Sequence, residues 1–281
     1  MNRKFSLAYL TLPGVDPVNQ IRIAKETGYD CVGLRTIPMN LPSEPKFIMH
    51  EDHRLFEATK RALQEYDITL WDIELARIRP DLNTDEYEPA FEAAASLGAS
   101  NVLSSIWTRD REYYIQQVGH VAEMAKKYGL NLNVEFLPWA GVRNLQEAIT
   151  LLDILQMDNL YIMLDTLHAG RAGVTPEEIK RANPAYFHYL HLCDGPAGHN
   201  GDPVLNDIED EQMLHTARSA RLYPGEGVMD IAGMVKALPE MPISIELPNV
   251  MRIRQLGMEG HAKECLESTK FYFQHHGIPY Y

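Results

Sequence analysis

The feature of this sequence that most constrains its fold is the alternation of short apolar runs with helical patterns from one end to the other. Several runs are apolar on consecutive residues, which is typical of parallel strands covered on both faces. A strand followed by a helix recurs about every thirty residues, as in βαβ units. The predicted strands are residues 5–12, 31–35, 69–74, 101–106, 130–137, 160–164, 187–192 and 243–247.

Helix signals fill the intervals between these strands. Asp16 followed by Pro17 indicates an N-cap and a first helical turn, and Gly28 stands where a C-cap belongs. The same signals and the helical spacing of apolar residues predict six further helices. They are expected over 84–95, 111–128, 144–157, 175–178, 230–238 and 260–274.

Eight such repeats predict a (β/α)8 TIM barrel. An open doubly wound sheet is disfavoured, because Pro13-Gly14-Val15-Asp16 after the first strand cannot cradle a pyrophosphate. The sequence contains no low-complexity linker, so residues 1–281 are predicted to form a single domain. Long loops are predicted over 36–52 and 195–229, after strands two and seven, at the face where barrels hold their active sites.

Composition excludes several function classes. The formal net charge of −13 disfavours nucleic acid as a partner, because phosphate binding needs a basic surface. Three widely spaced cysteines fit a reducing compartment and argue against disulfides or a thiolate metal site. The N-terminal apolar run is too short for a signal peptide and no run of 18 apolar residues occurs, so we expect a cytoplasmic protein without a membrane span.

Polar residues stand at the ends of four successive strands, where barrel packing alone would not place them: Glu135, Asp165, His191 and Glu246. A carboxylate in an apolar strand costs several kcal/mol unless it is paired or binds a metal. Any one of these residues alone is more often a satisfied structural group. The four together predict one divalent cation per chain, with Mn²⁺ preferred and Mg²⁺, Co²⁺ or Zn²⁺ as alternatives, because the donors are mostly oxygen.

The pattern resembles the sugar phosphate isomerase/epimerase family of xylose isomerase-like barrels, which includes tagatose 3-epimerase. The resemblance covers strand four to the C-terminus and is weaker in the N-terminal third. The residues that carry it are Glu135, Asp165-x-x-His168, His191-x-x-Asp194, Pro224-Gly225-Glu226-Gly227 and Glu246.

This resemblance implies roles for individual residues. The four polar strand-end residues would bind the metal, and Glu135 and Glu246 would also act as acid and base on opposite faces of the substrate. It further implies that His168 contacts substrate oxygens. An arginine after strand seven would close over the substrate, with Arg221 preferred to Arg218.

Other strand-end residues leave two readings open. Arg35 either meets an anionic group of the substrate or pairs with Glu74 across the barrel. Trp107 and Trp139 either wall a sugar pocket or pack at the rim.

Two further residues belong to strand seven or directly follow it. Asp194 either orients His191 or starts the next loop, and His188 is expected to face away from the barrel interior.

These observations predict a metal-dependent isomerase or epimerase that acts on a ketose or related keto-sugar by proton transfer through a metal-bound enediolate. The expected partner is a small keto-sugar or polyol, and a homo-oligomer is compatible with the aromatic C-terminal tail. A dehydratase of a keto-cyclitol or a 3-dehydroshikimate-like substrate is the alternative. It is disfavoured because Leu137 stands where the dehydroshikimate enzymes have a histidine.

A remote alternative is a DNA-repair enzyme of the endonuclease IV type. Such an enzyme needs additional histidine and glutamate ligands on strands two to four. Those strand ends read Arg35, Glu74 and Trp107 in this chain. The negative charge of the protein also disfavours a DNA duplex.

Overall fold

All eight predicted strands form in the computed structural model, which describes residues 3–41, 44–198 and 210–280. Each strand pairs in parallel with the next, and the first pairs with the last through Phe5 and Ile243. The predicted (β/α)8 barrel is therefore confirmed. The strands are β1 Phe5–Leu7, β2 Cys31–Arg35, β3 Thr69–Ile78, β4 Asn101–Ile106, β5 Asn131–Glu135, β6 Leu160–Asp165, β7 Phe187–Leu192 and β8 Ile243–Ile245.

The helices surround this barrel, and several of them begin at the caps that the sequence indicates. The Asp16 side chain accepts a hydrogen bond from the Asn19 N–H at 3.1 Å, and Gly28 ends the same helix with φ of 92°. The helices are α1 Pro17–Thr27, α2 His53–Glu65, α3 Glu88–Ser96, α4 Arg111–Lys127, α5 Leu145–Leu155, α6 Thr166–Arg171, α7 Pro176–Arg181, α8 Asp210–Ser219, α9 Ile231–Ala237 and α10 Val250–His275.

Several element boundaries differ from the predicted ones. β1 stops at Leu7, because Tyr9–Thr11 forms a 3₁₀ turn. The segment 195–229, predicted as a long loop, also contains α8, since its glycines and prolines flank a helical pattern. α10 starts ten residues earlier than expected, because Gly257, at φ 73° and ψ 172°, interrupts its pattern. Residues 42–43 and 199–209 of the predicted loops lie outside the described residues.

His188 is an extra residue in the pairing of β6 with β7. Ile162 pairs with Phe187 and Met163 with Tyr189, so His188 has no partner across the ladder. Its Nδ1 lies 3.1 Å from Asn133 Oδ1, and Asn133 is an inward-facing residue of β5. The expectation that His188 faces away from the interior was wrong, because the bulge changes the face to which a side chain points.

Most of the core lies between the outer face of the barrel and the helices. A smaller, separate apolar cluster lies apart from this core, and three of its members, Met39, Leu75 and Leu103, border the cavity at the barrel mouth described below. That cluster consists of Met39, Leu75, Leu103, Met163 and Tyr189. Among the described residues, no helix combines the length and apolar character that crossing a membrane requires.

Candidate metal centre

Four polar side chains meet at the mouth of the barrel, as expected from the sequence. Glu135, Asp165 and His191 lie in the last residues of β5, β6 and β7, and Glu246 directly follows β8. One ligand atom from each lies within 4.8 Å of the ligand atoms of the others, and all four residues are buried. Parallel strands that end at one edge of a barrel bring residues distant in sequence to one point.

Arg221 lies among these carboxylates. Its Nη1 is 2.5 Å from Asp165 Oδ2, and its Nη2 is 2.5 Å from Glu246 Oε2. The Arg221 Nε–H donates to the Ala217 carbonyl at 2.8 Å, which fixes the orientation of the guanidinium. Three carboxylates stand against this single guanidinium. When all three are ionised and His191 is neutral, as a metal-binding imidazole is, a negative charge of about two is left, which matches a divalent cation.

The charges in this group shift one another's pKa values. Burial and the carboxylates of Glu246 and Asp165 raise the pKa of Glu135 well above its usual value. Burial is the largest influence on Asp165 and Glu246 and would raise their pKa values. The pKa values are nevertheless lowered, because the Arg221 guanidinium and the neighbouring imidazoles of His168 and His191 together outweigh burial. This crowding of carboxylates is what a bound cation would relieve.

The imidazole of His191 fits a metal ligand. It is completely buried, and neither ring nitrogen makes a well-formed hydrogen bond, although Nδ1 lies 3.4 Å from Glu246 Oε2. Burial would lower its pKa, but the surrounding carboxylates raise it to about 10. A buried polar atom without a partner is costly, and metal coordination satisfies an imidazole nitrogen in such a place.

His168 lies beside this group. Its Nε2 is 3.5 Å from Glu135 Oε1 and 4.0 Å from Asp165 Oδ2. Its ring packs edge-on against Trp139, with 5.0 Å between the ring centroids. Burial lowers the pKa of His168 to about 4, so its ring is neutral at physiological pH and can hydrogen-bond to a substrate oxygen.

A cavity of about 70 Å³ opens above the group. This volume is far below the roughly 300 Å³ of a typical ligand pocket. All four residues predicted to contact substrate border it, and the indole of Trp107 donates to Ser105 Oγ at 2.8 Å. The residues around the cavity that matter for the chemistry are Arg35, Glu74, Trp107, Glu135, Leu137, Trp139, His168, Arg218, Arg221 and Glu246.

Arg35 forms an ion cluster on one wall of this cavity. Its Nη2 lies 3.0 Å from Glu74 Oε1, and its Nη1 pairs with Glu44 of the loop after β2. The guanidinium also lies over the ring of Tyr9, 4.6 Å from its centroid. The predicted pairing with Glu74 is therefore present, whereas Glu44 was not singled out because nothing in the pattern of that loop indicates where its side chain points.

Two further acidic residues are buried close to this site: Asp72, which the sequence analysis did not identify, and Asp194, for which it left two roles open. Asp72 of β3 is completely buried, and its pKa is raised to about 7 by burial, against the influence of His191. The signal for Asp72 in the sequence was an acidic residue within an apolar strand.

The carboxylate of Asp194 accepts hydrogen bonds from the backbone N–H groups of Gly195, Gly225, Gly227 and Met229 at 2.8–3.0 Å. Of the two roles predicted for Asp194, these contacts match the second, because Asp194 starts and organises the loop that follows β7.

Comparison with known proteins gives the relatives of this chain. An inosose isomerase of Bacillus velezensis is 20% identical over 281 residues, which cover 92% of this chain and 94% of that protein. A 3-dehydroshikimate dehydratase of Pseudomonas putida is 25% identical over 183 residues, which cover 62% of this chain and 27% of that protein.

Solved structures share the same fold. The IolI protein, crystallised with a zinc atom, superposes with a TM-score of 0.79 at 19% identity, covering 99% of both chains. A D-allulose 3-epimerase from Methylomonas sp. in complex with D-allulose gives a TM-score of 0.68 at 17% identity, covering 97% of this chain and 98% of the other. Residues 21–268 match the family model of the xylose isomerase-like TIM barrel. The chain therefore belongs to the xylose isomerase-like TIM barrel family.

Proposed function

We propose that this protein is a divalent-metal-dependent isomerase or epimerase of a keto-sugar or related keto-polyol. The observation that carries the proposal is the group of Glu135, Asp165, His191 and Glu246, which holds two glutamates within reach of one substrate. The isomerase named among the curated relatives and the epimerase of the same fold support it.

The donor set fits one divalent cation, held by the four residues of this group. Three carboxylates and one imidazole suit Mn²⁺, which we propose as the preferred ion. Zn²⁺ is the next candidate, because the IolI protein was crystallised with zinc. When bound, the cation would act as a Lewis acid that polarises the substrate carbonyl.

The residues of the chain supply the proton transfers. Glu135 and Glu246 follow strands that are three positions apart around the barrel, so their carboxylates reach the substrate from different sides. One removes the proton next to the carbonyl, and the other returns it to the opposite face or to the neighbouring carbon. His168 hydrogen-bonds to a substrate oxygen, and Arg221 positions the carboxylate of Glu246.

A dehydratase is the second candidate. It is favoured by the 3-dehydroshikimate dehydratase among the relatives and by the fold shared with AsbF, a probable 3-DHS dehydratase from Bacillus anthracis (TM-score 0.71). The side chain that borders the cavity two residues after Glu135 is Leu137, which cannot carry a proton. We therefore place proton transfer without loss of water first.

Incubation in D₂O separates the two reactions. Ketoses, keto-acids and keto-cyclitols are each incubated with the Mn²⁺-loaded protein. An isomerase or epimerase will exchange deuterium into the carbon next to the carbonyl while substrate and product interconvert. A dehydratase will instead build an enone or aromatic chromophore. Ultraviolet absorbance of that kind without reversible exchange would overturn the first assignment.

A further inference from the structure

Glu44, in the loop after β2, buries its carboxylate against Arg35, a residue that borders the candidate substrate cavity. Its side chain is 13% exposed and pairs with Arg35, whose side chain is 7% exposed and borders the cavity. One oxygen of this carboxylate, Oε2, has no hydrogen-bond partner among the described residues. Burying a half-satisfied carboxylate costs free energy, so its position needs a reason beyond packing.

A second guanidinium borders the same cavity as Arg35. Arg218 projects from α8, borders the cavity and makes no ion pair with any carboxylate in the described part of the chain. Desolvation and the charge of Arg35 lower the pKa of Arg218, while Glu44 raises it, so the three charges lie within reach of one another. Two arginines thus border the cavity, and Glu44 pairs with one of them, Arg35.

The charges of the four side chains Arg35, Arg218, Glu74 and Glu44 balance only while Glu44 is in place. Arg35 and Arg218 carry two positive charges, and Glu74 and Glu44 carry two negative ones. Glu74 is 2% exposed and belongs to β3, whereas Glu44 belongs to a loop, so displacing Glu44 disturbs the barrel less than displacing Glu74. The departure of Glu44 would leave one unbalanced positive charge and enlarge a cavity of only about 70 Å³.

We propose that Glu44 occupies the place of a substrate carboxylate, and that Arg35 and Arg218 recognise this group. This inference rests on the proposed function and narrows it, because the substrate is then a keto-sugar acid or cyclic keto-acid and not a neutral ketose. Guanidinium groups bind carboxylates through paired N–H donors. A single missing charge matches a carboxylate better than a phosphate monoester, which carries nearly two.

Calorimetric titration of the Mn²⁺-loaded full chain tests whether Arg35 and Arg218 recognise a carboxylate, and it does not require turnover. The matched probes are D-fructose and D-fructuronate, which differ by a carboxylate at C6. We expect the carboxylate probe to bind at least about tenfold more tightly, as charge-assisted pairs do. Arg218→Gln should reduce that ratio to about one. Glu44→Gln should increase it several-fold by removing the internal competitor.

Arg181→Gln, a change of an exposed arginine on α7, is the matched control and should leave the ratio unaltered. Because Arg218 is exposed, its replacement is compatible with folding, which thermal melting will verify. The inference would be overturned if both probes bind equally, if neither binds, or if Arg218→Gln leaves the ratio of the two affinities unchanged. Tighter binding of fructose 6-phosphate than of fructuronate would also overturn it, in favour of a phosphate site.

Deuterium exchange separates failure of this inference from failure of the proposed function. Carboxylate selectivity without exchange for any probe would remove the isomerase assignment and leave the arginine site standing. Exchange with fructose, without selectivity for fructuronate, would remove the arginine site and leave the isomerase assignment standing.

Discussion

At the scale of single residues, Arg221 ties the candidate metal ligands together. Its guanidinium is buried and bridges Asp165 and Glu246 at 2.5 Å each. A buried arginine between two carboxylates is held by both, so its freedom to swing over a substrate is restricted. The structure therefore supports a positioning role for Arg221 in addition to the substrate contact that the family resemblance implies.

Removing this guanidinium should destabilise the metal-free protein. Arg221→Met removes the guanidinium that pairs with both buried carboxylates, Asp165 and Glu246, which costs about 3–5 kcal/mol. Urea unfolding in the presence of a chelator will measure the loss, and added Mn²⁺ should restore part of it by neutralising the same carboxylates. Arg181→Met on the surface is the control, with an expected change within about 0.5 kcal/mol. A metal-free Arg221→Met protein as stable as the wild type would contradict this account.

Glu246→Gln separates metal binding from proton transfer. The amide retains an oxygen donor but has no basicity, so most of the metal should remain while turnover falls about a hundredfold or more. Metal analysis and kcat measured on one preparation will test this. Retained turnover with retained metal would assign Glu246 a structural role only.

The sequence predicted part of the site, for reasons visible in particular residues. Glu135, Asp165, His191 and Glu246 could be found because strand periodicity places a strand end where a polar residue is unexpected. Glu44 could not be found, because the path of a long loop determines where it points. The guanidinium contacts of Arg221 escaped prediction for the same reason, since they depend on where α8 lies.

At the scale of elements, Asp194 organises the segment that follows β7. Its carboxylate accepts four backbone N–H groups, and it is 1% exposed. A Cβ atom on Gly227 would lie 2.4 Å from Asp194 Oδ1, so this close approach requires glycine. The Pro224-Gly225-Glu226-Gly227 motif is thereby explained as a backbone cradle for one carboxylate.

Replacing Asp194 should loosen this segment. Asp194→Ala leaves the buried N–H groups of Gly195 and Met229 and two partly buried ones without an acceptor, and we expect a loss of about 3 kcal/mol in the free energy of unfolding. Because the backbone of Asp194 pairs with that of Leu222, the neighbour of Arg221, loosening of this segment should also disturb the site and raise KM. Urea unfolding and steady-state kinetics measure the two effects. A loss below about 1 kcal/mol would show that the cradle contributes little.

Strand and helix positions were more predictable than their ends. β2, β4 and β7 have the predicted bounds, because apolar runs end abruptly there at loop residues. β3 continues to Ile78, beyond its predicted end at Glu74, since pairing with β4 extends to Ile106. The bulge at His188 is a property of the pairing between strands, so one strand's pattern could not reveal it.

At the scale of the whole molecule, barrel closure brings the site together. β1 pairs with β8 through three residue pairs, and Tyr29 after α1 donates its hydroxyl to the Ala262 carbonyl of α10 at 2.9 Å. The first and last helices therefore pack side by side, as one domain over 1–281 requires. Closure of the barrel was predictable from the eight repeats. The assignment of the whole chain to one domain stays a prediction.

Metal removal tests the site through the stability of the whole barrel. The four candidate ligands come from β5, β6, β7 and the end of β8, so a cation bound by all of them links half of the barrel wall and binds only when it is folded. At a free concentration of 100 times Kd, such binding adds about 2.7 kcal/mol to the free energy of unfolding. For a chain of this size, that raises Tm by roughly 5 °C.

Protein stripped with a chelator and reloaded with Mn²⁺ should show this rise and bind about one ion per chain by elemental analysis. Glu135→Gln, Asp165→Asn and His191→Ala should each weaken metal binding, because a donor is lost and the remaining carboxylates repel one another. His188→Ala is the matched control, since this histidine lies outside the group, and it should keep the full rise. A wild-type protein that is purified without metal and gains no stability from Mn²⁺ would remove the metal centre, and with it the proposed chemistry.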